Sequence, residues 1–149
     1  MKYLSFTFLL LLSLMGTSWA AADIEPVKSD SAWLAEAKAN IKSGKYDQAA
    51  KQLQSANETN SADWNNLLAY SLRKKQPPDL VGAEKYYQAA LKIDPKHRGA
   101  LEYYGELKLM NNDLPGAEVL LARLDKVCTF GCEEYSDLKG AIKKYKSKK

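Results

Sequence analysis

The chain has 149 residues, of which 46% are hydrophobic and 10% aromatic, enough to fill one globular core and too many for wholesale disorder. Its formal charge of +4 comes from basic and acidic residues that are interleaved except at the very end, so a nucleic-acid binder is not indicated. One histidine and two cysteines, with no clustered Cys/His/Asp set, leave little from which to build a multi-ligand metal site.

The first element reads as an export signal. Met1 and Lys2 make a short positive start, Tyr3 to Met15 is apolar around Leu9-Leu10-Leu11-Leu12, and Ser18-Trp19-Ala20 or Ala20-Ala21-Ala22 offers the small-x-small pattern of a signal-peptidase site. Residues 1–22 are therefore expected to be a signal peptide, cleaved after Ala20 or Ala22. An uncleaved anchor ranks second, because the apolar run is shorter than the roughly 20 residues of a spanning helix. The expected address is an oxidising compartment, a bacterial periplasm first and the secreted fraction second. Residues 23–29, with Pro26, read as a flexible lead-in.

A first helical hairpin is expected from about residue 30. Asp30 or Ser31 can cap a helix over 32–43 in which Trp33, Ala37 and Ile41 recur at helical spacing. Ser43-Gly44 breaks it, and Tyr46-Asp47-Gln48-Ala49 opens a second helix with Ala49, Leu53 and Ala56 on one face. The next pair begins near Ser61, with Trp64, Leu67, Leu68, Ala69 and Leu72 as its apolar side. Lys74 to Asp79 contains Pro77 and Pro78, which forbid helix and predict a rigid, protruding turn. Its partner runs from Gly82 to Asp94, with Ala83, Tyr87, Ala90 and Leu91 on one stripe, and Pro95 stops it.

His97 falls in the following link and reads as a solvated loop histidine. From Arg98 a third pair carries Leu101, Tyr104, Gly105 and Leu107. Gly105 costs about 1 kcal/mol against Ala in a helix interior, a cost that makes sense if another helix packs on its bare Cα. After the turn Asn111-Asn112-Asp113, Pro115 sits where a first turn tolerates it, and Ala117, Leu120, Leu121 and Leu124 give the buried stripe. Beyond Cys128 and Cys132, Tyr135, Leu138, Ala141, Ile142 and Tyr145 predict a seventh helix. Glu133 and Glu134 stand at its start and lysines at its end, as the helix dipole prefers.

Gly44-x-Tyr46-x-x-Ala49, and the run Ala83, Tyr87, Ala90, Pro95, resemble the second helix of a tetratricopeptide repeat. Ala49, Ala83 and Ala117 lie 34 residues apart, the period of that unit. The lengthened turn before Ala83, by two residues, must then be offset by a shorter link before Trp64. The resemblance implies an all-α fold: three helix-turn-helix repeats (about 30–61, 62–96 and 97–127) in a right-handed superhelix. A C-terminal capping helix follows within 128–149, before a basic tail. Phe130 to Tyr135 looks like the closing segment of small exported bacterial proteins of this kind.

The same resemblance implies a concave groove lined by the first helices. Its positions are Leu34, Lys38, Ile41 and Lys42; then Asn66, Tyr70, Arg73 and Lys74; then Glu102, Glu106, Leu109 and Met110. A basic side near Lys38, Arg73 and Lys74 and an acidic side near Glu102 and Glu106 are expected. Lys38, Asn66 and Arg73 only partly fit the set with which some relatives grip a C-terminal carboxylate. The implied function is a non-enzymatic protein–protein scaffold of the cell envelope that holds a peptide or helix of another envelope protein. No cofactor is expected. No catalytic triad can be assembled without the lone His97, and no phosphate loop appears.

Cys128 and Cys132 are expected to form a disulfide that pins the last loop, since export favours oxidation and three intervening residues with a glycine can curl enough. The alternative is a thiol–disulfide or metal-handling pair. Lys143, Lys144, Lys146, Lys148 and Lys149 form a basic tail, read as a soluble helix end and, more sharply, as a weak contact for an anionic surface.

Overall fold

The computed structural model describes residues 31–148. The expected signal peptide, the lead-in, the Asp30 cap and Lys149 lie outside the described residues. Within them are seven helices and no strand: α1 Ala32–Lys42, α2 Tyr46–Ala56, α3 Ala62–Lys74, α4 Leu80–Ile93, α5 Arg98–Met110, α6 Leu114–Val127 and α7 Glu133–Lys146. None of these is long and apolar enough to cross a membrane.

Local chemistry fixes where the helices start. Ser61 Oγ accepts from the Trp64 amide at 3.2 Å and opens α3. Asp79 Oδ1 accepts from Gly82 N, and Asp113 Oδ1 from Gly116 N, each at 2.8 Å, opening α4 and α6. The two caps are one repeat length apart. A Cβ on either glycine would run into its own capping carboxylate, so Asp-x-x-Gly is a single device used twice. Ser31 begins α1 without a side-chain cap bond. Five residues, 75–79, join α3 to α4 through Pro77 and Pro78, and the Asp79 amide donates back to the Leu72 carbonyl at 2.9 Å.

Packing follows the periodicity. Ala49, Ala83 and Ala117 are completely buried, as are Leu53, Leu68, Tyr87, Leu101, Leu107, Leu124 and Leu138. The alanines admit close helix approach, and the larger side chains interdigitate around them. Trp64 adds a polar tie between α2 and α3, its indole Nε1 donating to the Leu53 carbonyl at 2.6 Å. At Gly105 a side chain would begin 2.5 Å from Leu138 Cδ2, so α7 does rest on that bare Cα.

Two expectations about the stripes need correction. In α1 the buried residues are Leu34 and Ala37, while Trp33 and Ile41 are half-buried. Leu34, expected in the groove, is therefore a covered position and not an open groove residue. Leu109, also expected in the groove, is buried as well. It lines a crevice with Ala141 and Tyr145 of α7, the helix that covers the face where a further repeat would stack.

Each helix packs on the next one in the chain. Beyond that, α1 touches α3, α3 touches α5 and α5 touches α7, whereas α2, α4 and α6 make no such contact with one another. The odd-numbered helices thus stand side by side along the tighter, inner face of the array, and the even-numbered ones splay on the outer face.

Candidate functional site

The inner face is built by side chains that leave α1, α3, α5 and α7 beside their buried stripes, joined by Tyr46 from the first turn of α2. Its centre is a ladder of tyrosines. The rings of Tyr46 and Tyr70 meet edge-on, with centroids 6.1 Å apart, and those of Tyr70 and Tyr103 lie 4.6 Å apart at a tilt of 52°. The Arg73 guanidinium sits 5.3 Å from the Tyr70 centroid and 5.7 Å from that of Tyr103. Lys74 Nζ is 5.9 Å from the rings of both Tyr46 and Tyr70. Burial raises the phenol of Tyr70 above its ordinary value, and it pushes Tyr103 up to about 12, with the Glu102 carboxylate beside it adding to the shift. Tyr70 and Tyr103 are therefore neutral across the physiological range.

The expected separation of basic and acidic sides is redrawn at its middle. Arg73 is buried, and its Nη2 pairs with Glu106 Oε2 at 2.7 Å, joining α3 to α5. Arg73 therefore neutralises the acidic side instead of extending the basic one. Its Nε has no hydrogen-bond partner. Lys38 and Lys42 remain exposed on α1, with Lys74 at the end of α3, and Met110 is half exposed at the end of α5.

Asn66 and Glu102 are more deeply seated than a solvated groove would have them, at 5% and 6% exposure. The Asn66 carbonyl oxygen has no hydrogen-bond partner, and its amide nitrogen is 3.3 Å from where a side chain on Gly99 would begin. Glu102 has neither a hydrogen bond nor an ion pair among the described residues. Burial, then repulsion from Glu106, Asp137 and Glu134, pushes its carboxyl up to about 8, against which Arg73 acts only weakly. Sequence reasoning placed Glu102 on this face but did not see that α7 would set two more carboxylates against it. Tyr103 was missed altogether, since it stands one position to the side of the expected groove residues. Its aromatic partner Tyr70, 33 residues earlier, was the only signal available.

His97 is not a solvated loop residue. Its side chain is 14% exposed and caps α5, Nδ1 accepting from the Ala100 amide at 3.1 Å while Nε2 meets Asp63 Oδ1 at 3.1 Å. The physical reason is the short α4–α5 link, which gives α5 no Ser, Asp or Asn cap and leaves the imidazole to serve. Cys128 and Cys132 form a disulfide between α6 and α7. Among the described residues, no group of three or more His, Cys, Asp and Glu side chains is placed to hold a metal ion.

Antiparallel helix pairs stacked at a constant period, with an inner face of successive first helices, define a helical-repeat protein. Two tetratricopeptide repeat family models match, one over residues 34–97 and the other over 79–142. The chain belongs to the tetratricopeptide repeat family. A comparison with curated proteins gives no match. Tetratricopeptide repeats suggest a protein–protein interaction scaffold, and proteins of the family are generally non-enzymatic.

Proposed function

We propose that the chain is a non-enzymatic adaptor of the bacterial cell envelope, exported to the periplasm, whose inner face holds a peptide or helix of another envelope protein. The observation that carries this reading is the tyrosine ladder Tyr46–Tyr70–Tyr103 with Arg73 across it. Aromatic rings fixed by their neighbours offer apolar contact at little entropic cost, and Arg and Tyr are the residues that dominate protein interfaces. Lysines on α1 and carboxylates on α5 and α7 would set the direction in which a charged segment lies. The signal peptide expected from the sequence of residues 1–22 supports the address.

The test is photo-crosslinking in intact cells from position 70 on the inner face and from position 119, where Val119 is exposed on α6. An envelope protein trapped from position 70 and not from 119, with the mature chain recovered in the periplasmic fraction, is the expected outcome. Trapping from position 119 alone, or recovery from the cytoplasm, overturns the proposal.

A further inference from the structure

Resting on the inner-face reading above, we infer that the segment held there is a proline-rich peptide in the polyproline II conformation, flanked by an acidic residue, and not a helix. The rings of Tyr46, Tyr70 and Tyr103 are its bed. They come from α2, α3 and α5, so the ladder crosses the helices. Its two steps together span at most about 11 Å, room for about one turn of polyproline II, whose three residues rise about 9 Å. Pyrrolidine rings project from such a turn at regular intervals and pack on aromatic faces.

The polar edges of the bed choose between the two kinds of segment. Tyr46, Tyr70 and Tyr103 are half-buried, and their hydroxyls make no hydrogen bond among the described residues. Tyr70 and Tyr103 keep their protons and stand ready as donors. An α-helix has its carbonyls engaged except in the last turn, so it offers such donors little. A polyproline II backbone has no internal hydrogen bonds, and its prolines carry carbonyls without any N–H. It is a row of acceptors, the complement of a row of phenol donors.

The bed is also set in advance. The Arg73 guanidinium lies 5.3 Å and 5.7 Å from the centroids of Tyr70 and Tyr103, and its Nη2 is tied to Glu106 at 2.7 Å. Rings and ligand are then both stiff before they meet, and little conformational entropy is lost on binding. Charge supplies the flank. Lys74 Nζ stands 5.9 Å from the rings of Tyr46 and Tyr70 and pairs with no carboxylate among the described residues. Arg73 is already paired by Glu106, so the open charge at this edge of the ladder is the Lys74 ammonium. Its complement is an aspartate or glutamate beside the prolines.

The probe is N-acetyl-Glu-Glu followed by six prolines and a terminal amide, titrated into the full chain at pH 7 while NMR follows the tyrosine rings. Its counterpart with alanine in place of every proline is the control. The expected result is binding of the proline peptide, with shifts at Tyr70 and Tyr103, and affinity at least about tenfold weaker for the alanine peptide. Tyr103→Ala should weaken binding about tenfold. Tyr70→Phe, which keeps the ring and removes only the hydroxyl, should weaken it about threefold to tenfold. Lys74→Gln should weaken it about threefold at low salt, and not at all when glutamines replace the two glutamates. Equal binding of the two peptides, no binding of either up to about 1 mM, or unchanged affinity in Tyr70→Phe or Tyr103→Ala overturns the inference. Unchanged affinity in Lys74→Gln overturns its acidic flank. If the proline peptide fails while position 70 still traps an envelope protein, the inner-face reading stands; if both fail, both fall.

Discussion

Glu84 on α4 and Glu102 on α5 both lie at seams between helices, and they are held in opposite ways. Glu84 Oε1 accepts from the Tyr104 hydroxyl at 2.8 Å and from Lys108 Nζ at 2.9 Å. Tyr104 in turn accepts from Gln88, and Lys108 reaches Asp113 at 3.3 Å. The hydrogen bonds from Lys108 and Tyr104 draw the Glu84 carboxyl below its ordinary range. Glu102 is more buried and has no such donor, so burial and three like-charged neighbours drive it the other way. Placement at a helix seam does not decide what a carboxylate does there. Partners decide: Glu84 is a strut that ties the second repeat to the third, and Glu102 is a buried group left without a tie.

The largest expected effect is on pH. The folded-state pKa of Glu102 stands above its unfolded value, so its contribution to stability is intact below about pH 4.5 and drains away as pH rises to about 8. Glu102→Gln removes that loss. At pH 8 the variant should be more stable than the wild type by on the order of 3 kcal/mol, and at pH 4 the two should agree, as urea unfolding at each pH would measure.

Next comes Gly105→Ala, which attacks the contact that brings α7 to Glu102. The added methyl meets Leu138, and overpacking of this kind costs about 1–3 kcal/mol, offset in part by roughly 1 kcal/mol of better helix propensity. Thermal unfolding should show the net loss. As α7 is pushed outward, Glu134 and Asp137 move away and the Glu102 midpoint should fall. Replacing Cys128 and Cys132 together by Ser loosens the same helix more gently. A loop this short contributes about 2 kcal/mol at most, so the melting temperature should drop while the helical circular dichroism is kept.

The smallest effect is expected at the strut. Glu84 is pulled down on folding, so its contribution is present above its unfolded pKa and is lost as pH falls through the folded value. Glu84→Gln should cost about 1 kcal/mol at pH 7, because the pair is partly exposed, and little at pH 3. The two Gln variants should therefore bend the stability profile in opposite directions.

Much of the frame was legible because it depends on spacing along one helix. Ala49, Ala83 and Ala117 announce the seam by their period, Tyr87 by its place on the stripe, and Gly105 by a cost that only a close neighbour explains. The cysteine pair was legible from its short separation. What escaped depends on elements far apart in the chain. Leu34 and Leu109 sit beside the stripe in sequence, and only the neighbouring helix decides that they are covered. His97 became a cap because no better residue precedes α5. The contrast between Glu84 and Glu102 lies in partners 20 and 24 residues away for the first, and in carboxylates brought from α7 for the second. No local pattern encodes that difference.

The most direct measurement is a carboxyl carbon NMR titration of the full chain from pH 3 to pH 9, resolving both glutamates. The expected result is a Glu102 midpoint near 8 and a Glu84 midpoint below the ordinary glutamate value. Glu102 titrating together with Glu84, in the usual range of an exposed carboxylate, would contradict it.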